Sequence, residues 1–161
     1  MTECKAGRPD ANAPRSVLFV CAMNAIRSPM AAAITRTLYP HIIYSRSAGI
    51  HKGENDPFVK QVMNEFDIDI STHNPHTYEE LDDGNFELVI ALTPEAKDHV
   101  EEILRPQGTP VEFWPLPDPT LETAGRREQR LEAYRLLRDT LIVRIKNRFG
   151  WQESAKSASI G

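Results

Sequence analysis

Cysteine is scarce in this chain: Cys4 and Cys21 are the two in 161 residues. Two thiols, one of them in a polar leading segment, cannot staple a small secreted scaffold, and they read as free thiols in a reducing cytoplasm. Long apolar runs are missing too. The longest, Val17 to Met23, is far shorter than a membrane-spanning helix, and the opening MTECKAGRPDANAPR lacks the apolar centre of a secretory signal. Positive charge is not in excess. Lys and Arg number 19 against 23 Asp and Glu, for a net charge of −4. That balance excludes a broad nucleic-acid footprint or docking to an anionic membrane, but not a small anion site, whose field is set by its nearest charges and dipoles. No G-x-x-x-x-G-K-[ST], G-x-G-x-x-G or G-x-S-x-G motif occurs, which removes the nucleotide P-loop, the dinucleotide fingerprint and the serine-hydrolase elbow.

What is present suits one globular domain, with 40% hydrophobic and 26% charged residues. Residues 1–14 mix Pro, Gly, Asn and charge without periodicity and are expected to be a disordered tail, 15–150 the folded domain, and 151–161 a second flexible tail. Strands are predicted at 16–21, 41–48, 86–92 and 110–116, the last with prolines near its ends that suit a short or edge position. Helices are predicted at 28–39, with Ser28 as cap and Pro29 in the first position, at 57–66, at 94–104 and at 126–149. Strand and helix in alternation mean an α/β domain with a largely parallel four-stranded sheet, helices on both faces, and ligands beyond the carboxyl ends of the strands. Cys21 stands at such an end.

The stretch Cys21-Ala22-Met23-Asn24-Ala25-Ile26-Arg27-Ser28 is the most informative in the chain. Between a strand and a helix, its main-chain N–H groups can curl into an anion nest, and the helix adds its N-terminal dipole. The planar guanidinium of Arg27 can grip two oxygens of a phosphate. This positive potential falls on Cys21 and favours the thiolate, the nucleophilic form. Asn24 tolerates the positive φ that a tight nest needs. A cysteine ending a buried strand can equally be a small core residue. Far along the chain, Asp118 lies between Pro117 and Pro119, a segment that reads either as a turn or as a stiffened carboxyl on the sheet edge of Cys21. His73 and His76 have the spacing of a metal pair, but no cysteine or acidic cluster of ligand spacing accompanies them, and no metal or other cofactor is expected.

VLFVCAMNAIRSPMA resembles the signature of the low-molecular-weight protein-tyrosine phosphatase superfamily, which also holds arsenate reductases of the same fold. SAGI (47–50), FDIDISTH (66–73), FELVIAL (86–92) and LPDPT (116–120) follow in the family's order. The resemblance implies a three-layer sandwich of flavodoxin-like topology. It implies Cys21 as nucleophile, Arg27 as phosphate clamp and Asp118 as general acid. It implies a loop of Ala22, Met23, Asn24, Ala25, Ile26, Arg27 and Ser28 holding the substrate's phosphate, or sulfate in its place. Ser28 would donate to the thiolate, and Ser47 and His73 would hold Asn24. The implied activity is hydrolysis of phosphomonoesters, protein phosphotyrosine or small aryl phosphates, through phosphocysteine. The alternatives are an arsenate reductase using an external thiol and a non-catalytic oxyanion-binding module. Departures from the family pattern are Met23 where Gly is usual, Ile26 where many members have a second cysteine, no aromatic after Asp118-Pro119, and a short SAGIHKGEND without an aromatic wall. The segment after the third strand, ALTPEAKDHVEE, lacks the cysteines of a self-contained disulfide relay.

Overall fold

The computed structural model describes residues 4–82, 84–121 and 125–153. In chain order the elements are β1 (Gly7–Arg8), β2 (Ser16–Cys21), α1 (Arg27–Leu38), β3 (Tyr44–Gly49), α2 (Pro57–Asn64), β4 (Leu88–Ala91), α3 (Pro94–Leu104), β5 (Val111–Phe113), α4 (Arg127–Phe149) and β6 (Gln152–Glu153). Four strands form one parallel sheet in the order β3-β2-β4-β5.

The alternating side-chain directions of β2 divide the core into two layers. Val17, Phe19 and Cys21 face α1, α2 and α4, in a cluster with Met30, Ile34, Val62, Leu141 and Ile145. Leu18 and Val20 face the other way, toward Ala96, Val100 and Leu104 of α3. β2 is buried on both faces, which is why it reads as an unbroken apolar run. Helices on both faces of a four-stranded parallel sheet make the three-layer α/β sandwich that the strand–helix alternation implies. Among the described residues, no helix is long and apolar enough to cross a membrane.

Three local expectations change. Helix α1 starts at Arg27 with Ile26 as its cap residue, so Ser28 is not the cap; its hydroxyl is turned to Cys21 instead. The fourth sheet strand shrinks to Val111–Phe113, because Pro115 and Pro117 offer no N–H to a ladder. Trp114 nevertheless packs its ring edge-on to Phe19 at 6.2 Å between centroids.

The tails are the third change. Residues 1–14 and 151–161 carry no periodicity, yet their described parts are ordered. Gly7–Arg8 pairs antiparallel with Gln152–Glu153, Trp151 donates its indole N–H to the Lys5 carbonyl at 3.0 Å, and Asp10 N–H reaches the Phe149 carbonyl at 2.7 Å. Gly150 ends α4 at φ 81°, and an added Cβ there would strike the Asp10 carboxylate. Residues 1–3 and 154–161 lie outside the described part.

Candidate active site

Parallel pairing sets the site. Cys21 closes β2 opposite Gly49 of β3, so both residues reach the carboxyl edge of the sheet together. The chain from Ala22 to Ile26 then turns into α1. The carbonyls of Cys21, Ala22 and Met23 accept the N–H groups of Ile50, His51 and Gly53 at 3.1, 2.8 and 2.9 Å. The Asn24 carbonyl faces His73 Nε2 at 2.8 Å. Across a trans peptide the C=O and the next N–H point in opposite directions. Pinning four successive carbonyls outward therefore turns the following amides inward, which is the geometry of an anion nest. Gly49 is needed at this wall, since a Cβ there would lie 2.7 Å from the Asn24 nitrogen.

Asn24 is the keystone of the loop. It is fully buried with φ 54°, a left-handed conformation that costs about 1 kcal/mol or more for a side-chain-bearing residue. Its hydrogen bonds offset that strain. The side-chain amide donates to Ser28 Oγ at 2.9 Å and to Ser47 Oγ at 3.0 Å, and Oδ1 accepts the His76 N–H at 3.0 Å. A carbonyl can only accept, so His73 Nε2 carries the proton in its bond to Asn24. Burial, opposed by that hydrogen bond, holds the His73 imidazole below its ordinary pKa and keeps it neutral. His76 supports from beneath: its ring nitrogens face the carbonyls of Ser47 and Asn74 at 2.6 and 2.9 Å.

The same proton accounting orients Ser28. Its oxygen receives the Asn24 amide, leaving one hydroxyl proton and two acceptors in reach, Cys21 Sγ at 3.0 Å and the Ala48 carbonyl at 3.3 Å. When the sulfur is a thiolate, the charged acceptor is the stronger.

Arg27 begins α1 beside the loop. One guanidinium N–H reaches the Leu116 carbonyl at 3.2 Å, two residues before Asp118. Among the described residues its other donors are unengaged, and the contact ties Arg27 to the segment that carries Asp118. A cavity of about 210 Å³ brings the parts together: Cys21, Arg27 and Asp118 line it with Glu54, Asp56 and Thr120. Asp118 precedes one 3₁₀ turn, Pro119–Leu121, and its Oδ1 accepts both the N–H and the hydroxyl of Thr120, at 2.9 and 2.6 Å.

The structure places Cys21, Arg27 and Asp118 on one cavity with Met23, Ala25 and Ile26, and sets Ser28, Ser47 and His73 around Asn24. It adds residues that sequence reasoning missed. Asp56 caps α2 through the Phe58 N–H and takes the Tyr134 hydroxyl at 2.7 Å on its other oxygen; an Asp before a Pro at a helix start was the available signal for the cap. Burial, then the bond to Asp56, pushes the Tyr134 phenol up. Thr120 and Glu54 carried no signal. His51 and Lys52 turn to Glu95 and Glu80, not into the cavity. Cys4 is remote from the loop, with its thiol against the Ile34 carbonyl. Among the described residues, no group of three or more metal-ligating side chains occurs.

Comparison with known proteins places this geometry. The chain is 29% identical over 133 residues to the glutaredoxin arsenate reductase of Synechocystis sp., covering 83% of this chain and 95% of that protein. An arsenate reductase solved in its phosphate-binding state superposes with a TM-score of 0.64 at 28% identity, over 83% of this chain and 95% of that one. The YwlE arginine phosphatase of Geobacillus stearothermophilus matches with a TM-score of 0.61 at 27% identity, over 83% and 92%. The family model described as low molecular weight phosphotyrosine protein phosphatase matches residues 16–113, from the first strand of the parallel sheet to its last. The chain therefore belongs to the low-molecular-weight phosphotyrosine protein phosphatase family, whose members are enzymes of phosphate and arsenate chemistry.

Proposed function

We propose that the protein is a cytoplasmic phosphatase that hydrolyses phosphomonoesters, protein phosphotyrosine or small aryl phosphates, through a phosphocysteine. The observation that carries this reading is that Cys21, Arg27 and Asp118, from segments about ninety residues apart, line one small cavity. The Cys21 thiolate attacks phosphorus. The S–P bond forms as the P–O bond to the leaving group breaks, and Asp118 gives its proton to the departing oxygen. Water deprotonated by Asp118 then attacks phosphorus, releasing phosphate and restoring the thiolate. Through both steps the inward loop amides and Arg27 balance the charge on the non-reacting oxygens. A structural relative solved in a phosphate-binding state supports oxyanion binding by this chain.

Arsenate reduction is the second reading, favoured by the names of the relatives and by a cavity lining without an aromatic ring. Cys21 would displace hydroxide from arsenate, and an external thiol would attack the sulfur of that adduct, releasing arsenite and leaving a mixed disulfide for a second thiol to reduce. Both external thiols are required, since the chain's other cysteine sits against Ile34. A binding module would keep the loop without turnover.

The test is hydrolysis of a small aryl phosphate by the wild type, Cys21→Ser and Asp118→Ala. Phosphatase activity lost in Cys21→Ser and reduced about 10²- to 10³-fold in Asp118→Ala is expected. No hydrolysis together with glutathione-dependent loss of arsenate would establish the reductase. Inertness in both assays with phosphate still bound would establish the module.

A further inference from the structure

We propose that Thr120 is a positioning residue for the acid step, selecting which oxygen of Asp118 holds the transferable proton; this rests on the phosphatase reading above. Asp118 Oδ1 accepts two donors from one residue, the Thr120 N–H at 2.9 Å and the Thr120 hydroxyl at 2.6 Å. Oδ2 makes no hydrogen bond among the described residues. The turn beneath is anchored, with Pro119 buried and the Leu121 N–H on the Asp118 carbonyl at 3.2 Å. Asp118 and Thr120 both line the cavity of Cys21.

A carboxylic acid carries its proton on one oxygen, and the other acts as the acceptor. An oxygen already receiving two N–H or O–H donors is the acceptor, because a proton placed there would point its hydrogen at theirs. Oδ1 is therefore the carbonyl-like oxygen, and the proton that the leaving group takes resides on Oδ2. The main-chain donor is available to any residue at position 120 except proline. The hydroxyl is not. With only the N–H left, the carboxyl can turn about χ2 and exchange its oxygens, and a smaller share of molecules presents the acid correctly. That loss falls on substrates whose leaving group needs a proton and spares those whose leaving group departs as an anion.

The experiment measures kcat/KM for phenyl phosphate and p-nitrophenyl phosphate with the wild type, Thr120→Val, Thr120→Ser, Asp118→Ala and the Asp118→Ala/Thr120→Val double variant. Thr120→Val is expected to lose about tenfold on phenyl phosphate and no more than about twofold on p-nitrophenyl phosphate. Thr120→Ser restores both rates, and on the Asp118→Ala background Thr120→Val costs nothing further, since the two act through one proton. Equal losses on the two substrates, no rescue by serine, or an undiminished loss in the double variant would overturn the assignment while leaving the phosphatase intact. A wild type inactive on both esters would remove the phosphatase reading and this role with it.

Discussion

Cys21 and Cys4 both lie against α1, the first at its N-terminal end and the second beside the Ile34 carbonyl in its later half. At Cys21 the sulfur lies 3.0 Å from the hydroxyl of Ser28 in the first turn of α1, where the helix dipole is positive. At Cys4 the thiol faces a carbonyl at 3.9 Å, a contact it makes only as a donor, and burial pushes its pKa up to about 12 despite the nearby Lys146. Two thiols packed against one helix thus meet opposite ends of the peptide dipole, and on the proposed function the first is the nucleophile and the second an inert filler. Reactivity here is a property of the backbone arrangement.

The widest gap between the two regions is expected in turnover. Cys21→Ser should lower kcat/KM by roughly 10⁴-fold or more, as removal of a nucleophile does. Cys4→Ser should leave it unchanged, and a comparable loss in that variant would break the contrast. Next comes chemical reactivity. Alkylation at pH 6.5, followed by peptide mass mapping, should label Cys21 at least ~10²-fold faster than Cys4, with inorganic phosphate protecting Cys21 alone. Equal labelling would mean that the loop does not activate its sulfur.

The support around Cys21 ranks third. Asn24→Ala removes the group that joins Ser28, Ser47 and the His76 N–H, and puts alanine at positive φ. A loss of about 2–3 kcal/mol in urea unfolding is expected, with a fall in kcat/KM beyond what Ser47→Ala causes. On the Cys4 side, Gly150→Ala crowds Asp10 at a left-handed position and should cost about 1–2 kcal/mol with turnover unchanged. A catalytic defect there would show that the paired tails reach the site.

The smallest effect is one of pH. His73 has its folded pKa depressed below the ordinary 6.5, chiefly by burial. Between the folded and unfolded values the unfolded chain binds more protons, so stability rises with pH across that window and falls as pH drops from about 6.5. His73→Gln, which can still donate to Asn24, should flatten that part of the stability curve.

Legibility followed sequence distance. The frame from Cys21 to Ser28 and the Ser28-Pro29 helix start are legible because the residues that make up the pattern adjoin one another in the chain, although the partners of Asn24 do not. The cap expected at Ser28 does not form, because its hydroxyl is engaged with the Cys21 sulfur and the Ala48 carbonyl, both held in place by the sheet. Asp118 gained a role only from family resemblance, and Thr120 was silent because a threonine after Asp-Pro has no periodicity. Asp56 and Tyr134 meet across 78 residues, and His76 and Asn24 across 52. The tails were misread for the same reason at greater range: neither two-residue strand has a pattern of its own, and each exists because the other is beside it.

By itself, the order of residues determined the α/β alternation, the doubly buried central strand and the oxyanion loop, since these depend on periodicity and on contacts close along the chain. Only the tertiary structure decided which carboxyls share a cavity with the thiol, which oxygen of Asp118 is engaged, how the loop carbonyls are pinned outward, and that the described parts of the chain's ends pair with one another. Those outcomes come from parallel strand register and helix docking, which join segments whose separation along the chain leaves no local trace.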